Sequence, residues 1–292
     1  VLANGHNVPL VLAQPDRPAG RKQVLTAPAV KQAALAAGLA VTQPEKLRNN
    51  AELESQLRAI APDLIVVVAY GRIIPAWMLS LPRLGCVNVH GSLLPRYRGA
   101  APIQWAIANG ETETGVTTML LDEGLDTGPM LGSRKVKIAA NATAIDLFVE
   151  LANIGADLLV ETLASLEEGT AQPVAQDAAL ATLAPILSRD DGRVQWSRNA
   201  REIFNRWRGF QPWPGAFAEF RGEKLGLARM VLAETPRPAT PGTLDAREGR
   251  LFVTCGDHMQ IELLEVQPAG KRAMDAADFL RGHPLLPGER LA

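Results

Sequence analysis

The sequence of 292 residues is short of cysteine and histidine, with two and four respectively. Cys86 and Cys255 lie far apart and form no Cys-x-x-Cys, so neither a disulfide framework nor a zinc site is indicated. A reducing, cytoplasmic setting fits that usage. No run of about eighteen apolar residues occurs, which excludes an ordinary membrane-spanning helix. A formal net charge of -1 argues against wholesale nucleic-acid binding through bulk charge, so any RNA contact must be local. No Gly-x-Gly-x-x-Gly follows a β-prone run, which argues against a nicotinamide-dependent oxidoreductase. There is no internal repeat or low-complexity tract.

What is present is the patterning of a globular protein, 47% hydrophobic and 21% charged, long enough for two domains. Val8 to Ala13 is β-prone, and Val24 to Gly38 reads as an amphipathic helix closed by Gly38. A short strand at Leu39 to Thr42 and a helix over Ala51 to Ile60 follow. Leu64 to Ala69 is a continuous apolar run of the kind expected for a strand buried on both faces. Pro75 to Ser80 suggests a short helix, and Cys86 to His90, Val116 to Leu121 and Arg134 to Ile138 three more strands. Ala144 to Glu168 is a long helix. This alternation predicts an α/β fold, a doubly wound and mostly parallel sheet with helices on both faces, whose ligands bind beyond the carboxyl ends of the strands. The chain opens at Val1 without Met, on what reads as a helix tail ending at Gly5. A doubly wound domain places a strand and most of a helix before that point, so the expectation is an N-terminal domain over 1–170 lacking its first strand.

A linker over 171–187 and a second domain over 188–292 complete the predicted division. The second begins with an Arg-bearing helix near Arg198 to Arg208. Short β-like runs follow at Phe217–Phe220, Leu225–Leu232, Gly242–Leu244, Leu251–Thr254 and Met259–Val266, a pattern compatible with a small β-barrel. Residues 189–292 carry sixteen Lys and Arg against fourteen Asp and Glu, an excess of two. Arg189, Arg193, Arg198, Arg201, Arg206 and Arg208 nevertheless crowd the first segment. One face could therefore meet phosphates, the alternative being a surface helix with ion pairs such as Arg198 with Glu202. Trp207 and Trp213 read as packing residues.

The densest chemical signal is Asn88-Val89-His90-Gly91-Ser92-Leu93-Leu94-Pro95-Arg96-Tyr97-Arg98-Gly99, followed by Gly124-Leu125-Asp126-Thr127-Gly128. Asn88 and His90 share strand parity and fall at a strand's C-terminal end, where the crevice of such a sheet lies. An amide N–H can hold a developing oxyanion, an imidazole can move a proton near neutral pH, and a carboxylate can orient that imidazole. One-carbon acyl transfer needs these three groups. An isolated Asn-x-His is more often a hydrogen-bonded strand end, and an isolated Asp between glycines a turn cap. Cys86, two residues before Asn88, reads as a small buried strand residue, since no covalent step is required.

The extended pattern resembles the folate-dependent formyltransferases, with their Asn-x-His, Ser-Leu-Leu-Pro and later Asp. The resemblance runs from Gln14-Pro15-Asp16-Arg17-Pro18-Ala19-Gly20-Arg21 through the central motif to Arg208-Gly209-Phe210-Gln211-Pro212-Trp213-Pro214-Gly215-Ala216. It is strongest to those members that formylate methionyl initiator tRNA. It implies an OB-like barrel for the second domain and 10-formyltetrahydrofolate as formyl donor, with no metal. It also implies Asn88, His90 and Asp126 as catalytic residues and Ser92, Leu93, Leu94 and Pro95 as lining for the folate. The basic loop carrying Arg17, Arg21 and Lys22 becomes a contact for the tRNA acceptor end, although taken alone it reads as a solvated loop. Gln23 departs from the pattern, where a further basic residue is common. A monomer free of membranes is the expected form, bacterial-like in its cytoplasmic setting. Three alternatives stand beside this one: a sugar-amine formyltransferase, a catalytically impaired tRNA-binding fragment, and a glycinamide-ribonucleotide formyltransferase, which would stop near the end of the first domain.

Overall fold

A computed structural model describes residues 1–20 and 23–292, without the side chain of Ala19. Two compact units emerge. The first comprises Val1–Arg98, Val116–Arg134 and Asn153–Ala181; the second comprises Gly99–Gly115, Lys135–Ala152 and Thr182–Ala292.

The first unit opens with a 3-10 turn at Leu2–Asn4, stopped by Gly5 in the left-handed region at φ 82°, so the expected helix end at Gly5 is found. Strands β1 (Val11–Leu12), β2 (Arg17–Ala19) and β3 (Val24–Thr26) precede helix α1 (Ala29–Ala36). The predicted helix from Val24 is therefore shorter than expected. Val24 and Thr26 are β-branched and pair antiparallel with β2, and Pro28 caps the helix that follows. Strand β4 (Val41–Thr42) pairs parallel with β1. Where the basic loop begins, Asp16 is tied down: Lys31 Nζ donates to its carboxylate at 2.8 Å and Gln43 Nε2 at 2.6 Å. These bonds hold the Asp16 carboxyl below its ordinary range, Lys31 being the larger cause.

Helix α2 (Ala51–Ile60) is capped by Asn50, whose side chain accepts from Leu53 N at 3.0 Å, and it buries Leu53 and Leu57. Strand β5 (Ile65–Val68), helix α3 (Ala76–Leu79), strand β6 (Cys86–His90), strand β7 (Glu113–Leu120) and strand β8 (Met130–Lys137) follow, with helix α4 (Pro102–Ala108) between β6 and β7. The sheet order is β5-β6-β7-β8, parallel between β5 and β6 and antiparallel between β6 and β7. Strand β5 is not buried on both faces: Val66 is 36% exposed and Val68 57%. It is the edge strand, and its alternate residues face outward where no described element covers them. On the sheet's other side lies the C-terminal part of helix α5 (Ala144–Glu167). A Cβ at Gly155 of α5 would stand 3.1 Å from Val89 and 3.3 Å from Val116, so glycine there permits close helix–sheet packing. Leu159 and Leu163 cover Val87 at the same interface, each such side chain stabilising the fold by about 1.5–3 kcal/mol.

In the second unit α4 packs on helix α6 (Ala200–Gly209), where Gly209 sits against the backbone of Gln104 and Ala108. Strands β9 (Phe217–Phe220), β10 (Glu223–Leu232), β11 (Leu244–Arg247), β12 (Arg250–Thr254) and β13 (Gln260–Pro268) form an antiparallel sheet ordered β11-β12-β13-β10-β9, with β14 (Met274–Asp275) beside β13 and helix α7 (Ala276–Gly282) closing the chain. The core gathers Trp196, Ile203, Phe204, Leu251, Ile261 and Phe279. Short β14 and α7 escape the sequence pattern because neither is long enough to establish a period.

Two arginines of the crowded segment turn inward instead of presenting a phosphate-binding face. Arg208 is 4% exposed and donates to the carbonyls of Ala139 and Ala142 and to Asn205 Oδ1, and burial lowers its pKa. Arg206 lies over the rings of Phe210 and Trp105, at 4.8 and 5.6 Å. Arg198 pairs with Glu202 at 3.7 Å, as expected. Trp207 packs as expected, its indole N–H donating to Leu227 O. Trp213 does not: at 53% exposed it lies on the surface of the cis-proline turn that follows α6.

The Asp16 knot yields a pH prediction. A carboxyl whose folded pKa is depressed contributes stability that is present above its unfolded pKa and lost as pH falls through the folded value. Thermal melts of the wild type and Asp16→Asn should therefore differ at neutral pH, with the wild type more stable, and converge as the pH falls below the ordinary carboxylate range.

Candidate active site

Pairing of β6 with β7 sets the geometry, with His90 opposite Thr117 and Asn88 opposite Met119. Asn88 and His90 thus share one face of β6 at its carboxyl end. Both β5 and β7 flank them, so the motif sits inside the sheet. His90 is 5% exposed. Its Nε2 lies 2.8 Å from the carbonyl of Tyr97, and its Nδ1 lies 3.6 Å from Asp126 Oδ2. Both nitrogens face acceptors. The Tyr97 carbonyl favours a proton on Nε2, which leaves Nδ1 turned to the carboxylate. Asn88 is half-buried, and among the described residues nothing engages its side-chain amide, so its N–H donors remain for a reactant.

The segment after His90 is held from beneath. Thr117, fully buried, donates through Oγ1 to Ser92 O at 2.7 Å and accepts from Leu94 N at 3.2 Å. Ser92 donates its own hydroxyl to Arg96 O at 2.6 Å. Ser92 and Leu94 are buried, whereas Leu93 and Pro95 are half-buried. Of the four residues expected to line the folate, Ser92 and Leu94 thus shape the loop from inside, while Leu93 and Pro95 retain part of their surface accessible.

Asp126 reaches His90 from the loop between β7 and β8. It has φ 52°, a left-handed conformation costing on the order of 1 kcal/mol in an L-residue. A Cβ at Gly128 would fall 1.9 Å from Leu120 O, so the loop can close only with glycine there. Gly128 hence permits the loop conformation that carries Asp126.

Cys86, 1% exposed, points inward, and burial pushes its thiol up to about 12. It packs, as expected. The basic loop divides: Arg17 is exposed and 3.9 Å from an equally exposed Glu45, a weak pair, while Arg21 and Lys22 lie outside the described residues. Among the described residues no group of His, Cys, Asp and Glu is arranged to hold a metal ion, and no helix is long and apolar enough to cross a membrane.

The Formyl transferase profile matches residues 2–163, and that of the Formyl transferase C-terminal domain matches residues 186–284. The chain belongs to the formyl transferase family. It is 60% identical to the methionyl-tRNA formyltransferase of Acidobacterium capsulatum over the whole chain and 94% of that protein. It is 54% identical to that of Koribacter versatilis, over 97% of the chain and 90% of the relative. Among solved structures, this formyl transferase is similar to WlaRD, a sugar 3N-formyl transferase, with TM-score 0.65 at 18% identity over 92% of the chain and all of the other. It is similar also to an N-formyltransferase from Helicobacter canadensis, with TM-score 0.64 at 17% identity over 90% of the chain and all of the other. These structural likenesses show the fold alone.

Sequence reasoning missed Thr117, which looks like any strand threonine, and Arg98 with Gln176, whose partners lie 78 residues apart. Opposition to His90 in the strand register is the signal that could have found Thr117.

Gly128→Ala should lower turnover by roughly a hundredfold, the scale expected when a reacting group is displaced by about 1 Å. Steady-state kinetics check this, and unaltered turnover would show that the loop tolerates the added methyl.

Proposed function

We infer that Asn88, His90 and Asp126 transfer the formyl group of 10-formyltetrahydrofolate to the amino group of methionine on initiator tRNA. The observation that carries the reading is the buried His90 set between the Tyr97 carbonyl and the Asp126 carboxylate, two residues along one strand face from an unengaged Asn88 amide. Identity of 60% to a methionyl-tRNA formyltransferase over the full chain supports the tRNA substrate. Folate as the donor is supported by the formyl transferase family match and by two neighbours in fold, HypX from Aquifex aeolicus in complex with tetrahydrofolic acid and the Helicobacter canadensis protein in complex with folinic acid. The residues fit such a donor: Leu93 and Pro95 offer apolar walls, and Asn88 offers N–H donors.

The donor, when bound, supplies a formyl carbon attached to a folate nitrogen. As the methionine nitrogen bonds to that carbon, the carbonyl electron pair moves onto oxygen. Asn88 donates to this developing charge, an interaction worth roughly 3–4 kcal/mol where such donors are preorganised. The amine must lose a proton and the folate nitrogen must gain one as its bond to carbon breaks. His90 stabilises the developing charge, and because the Tyr97 carbonyl holds Nε2, the proton passes by way of Nδ1, the more loosely held nitrogen, toward the leaving nitrogen. Asp126 orients His90, or takes the amine proton through a water.

Arg17, Arg21 and Lys22 contact the acceptor end of the tRNA in this reading, and Ser92 to Pro95 form the folate side. The catalytic domain spans 1–170 and the OB-like tRNA-binding domain 188–292, joined by 171–187, a division supported by the family matches over 2–163 and 186–284. The protein works as a monomer in the cytoplasm.

Formylation of methionyl initiator tRNA by 10-formyltetrahydrofolate tests the reading, with a nucleotide-linked amino sugar as the competing acceptor. Wild type should formylate the tRNA and leave the sugar unmodified; the reverse preference would move the chain to sugar-amine transfer. Asn88→Ala and His90→Ala should each lower turnover by at least about a hundredfold, Asn88→Ala with little change in melting temperature and His90→Ala with a lowered one, since it empties a buried site and leaves the Tyr97 carbonyl unpaired. Near-normal turnover in both would refute the site. Arg21→Ala should raise KM for the tRNA and spare that for the folate; an equal rise in both would show the loop to be wrongly placed.

A further inference from the structure

Gln176 lies in a stretch that reads as linker in the sequence, yet its side chain is fully engaged. Just before it, Val174 and Met130 exchange backbone hydrogen bonds of 2.8 Å in each direction, laying this stretch along the start of β8. From there Gln176 Nε2 donates to the carbonyl of Asp126 at 2.9 Å and to that of Gly128 at 2.8 Å. Its Oε1 accepts from Arg98 Nε at 3.0 Å and from Nη2 at 2.8 Å. A primary amide has two donor hydrogens and two acceptor lone pairs, and this one uses all four. Asparagine is one methylene shorter. Glutamate has the shape but no hydrogen for the two carbonyls.

The contacts fall on the two loops that matter. Arg98 lies in the loop that begins after His90 and includes Tyr97, whose carbonyl faces His90 Nε2. Asp126 carries the carboxylate that faces His90 Nδ1, from a left-handed backbone that the loop must sustain. Fixing the carbonyls of Asp126 and Gly128 holds the peptide plane that follows Asp126 and the one two residues on, which restrains the direction in which the Asp126 carboxylate leaves the backbone.

We propose that Gln176 is a positioning residue for the formyl-transfer reaction, holding the Asp126 carboxylate on His90 through the Asp126 and Gly128 carbonyls while Arg98 sets the orientation of the amide. The proposal rests on the reading of this site as a formyl-transfer centre. Gln176 touches no reactant; its effect passes through Asp126.

A double-mutant cycle separates this role from that of a general loop staple. Gln176→Ala should lower kcat by roughly thirtyfold and leave KM for the formyl donor within about twofold, as expected when a catalytic group is misaimed but the donor pocket is intact. In an Asp126→Asn background the same substitution should cost less than about threefold, because the group it positions has already been disabled. An equal loss in both backgrounds would overturn the proposal. Gln176→Glu, which keeps the shape and the Arg98 contact, serves if the alanine variant melts early; it should lose as much kcat as the alanine, and wild-type activity in it would also overturn the proposal.

A substrate-free readout keeps this test apart from the functional reading. In nitrogen NMR of the His90 ring, Gln176→Ala should move the Nδ1 resonance to the position it takes in Asp126→Asn. An unmoved resonance overturns the positioning role. Should the wild type transfer no formyl group to methionyl-tRNA, the functional reading fails, and the resonance still decides whether Gln176 sets the His90–Asp126 geometry.

Discussion

An imidazole buried at the end of a strand needs partners for two nitrogens, and the chain supplies them from places far apart in sequence. His90 finds the Tyr97 carbonyl by curling its own following loop back, and the Asp126 carboxylate from the turn beyond the next strand. Neither partner could arrive without β6 and β7 pairing antiparallel, since this pairing sets Thr117 opposite His90 and lets one hydroxyl fasten both ends of Ser92–Leu94. A buried group left unpartnered costs about 1–3 kcal/mol, so the loops are held to the conformation that satisfies the ring. The stability of the sheet and the arrangement of the chemistry are here one requirement.

Much of this was legible in the residues. Strand β6 runs from Cys86 to His90 as its alternation predicts, α2 occupies Ala51–Ile60, and the parity of Asn88 and His90 places them together. Local signals suffice in those cases, for period and capping act within a few residues. Where the reading went astray, a distant partner decided the outcome. An apolar run such as Ile65–Val68 reports high β-propensity, but whether both of its faces are covered depends on neighbours that it does not encode. Val24–Thr26 carries helix-compatible spacing and is claimed instead by pairing with β2. Gln176 is a polar residue amid small ones until its four hydrogen bonds are seen.

Charge shows the same lesson in the second unit. Counting arginines near α6 suggests a surface for phosphate, but Arg206 and Arg208 are absorbed by aromatic rings and carbonyls. The guanidinium group lends itself to this because it is planar, weakly hydrated and rich in donors. A cluster of basic residues is therefore an inventory of donors first, and becomes a recognition surface only for those members left facing solvent.

The inward turn of Cys86 has a bearing on fidelity. A thiolate two residues from Asn88 would be the strongest nucleophile in the neighbourhood and would compete with the incoming amine for the formyl carbon, diverting it into a thioester. Its sulfur is instead directed at the carbonyl of Met78, and burial keeps the proton on it far above neutral pH. The thiol has the same strand parity as Asn88 and His90, so its silence comes from depth at the start of the strand and not from facing the other way. The acceptor amine is left without an internal rival.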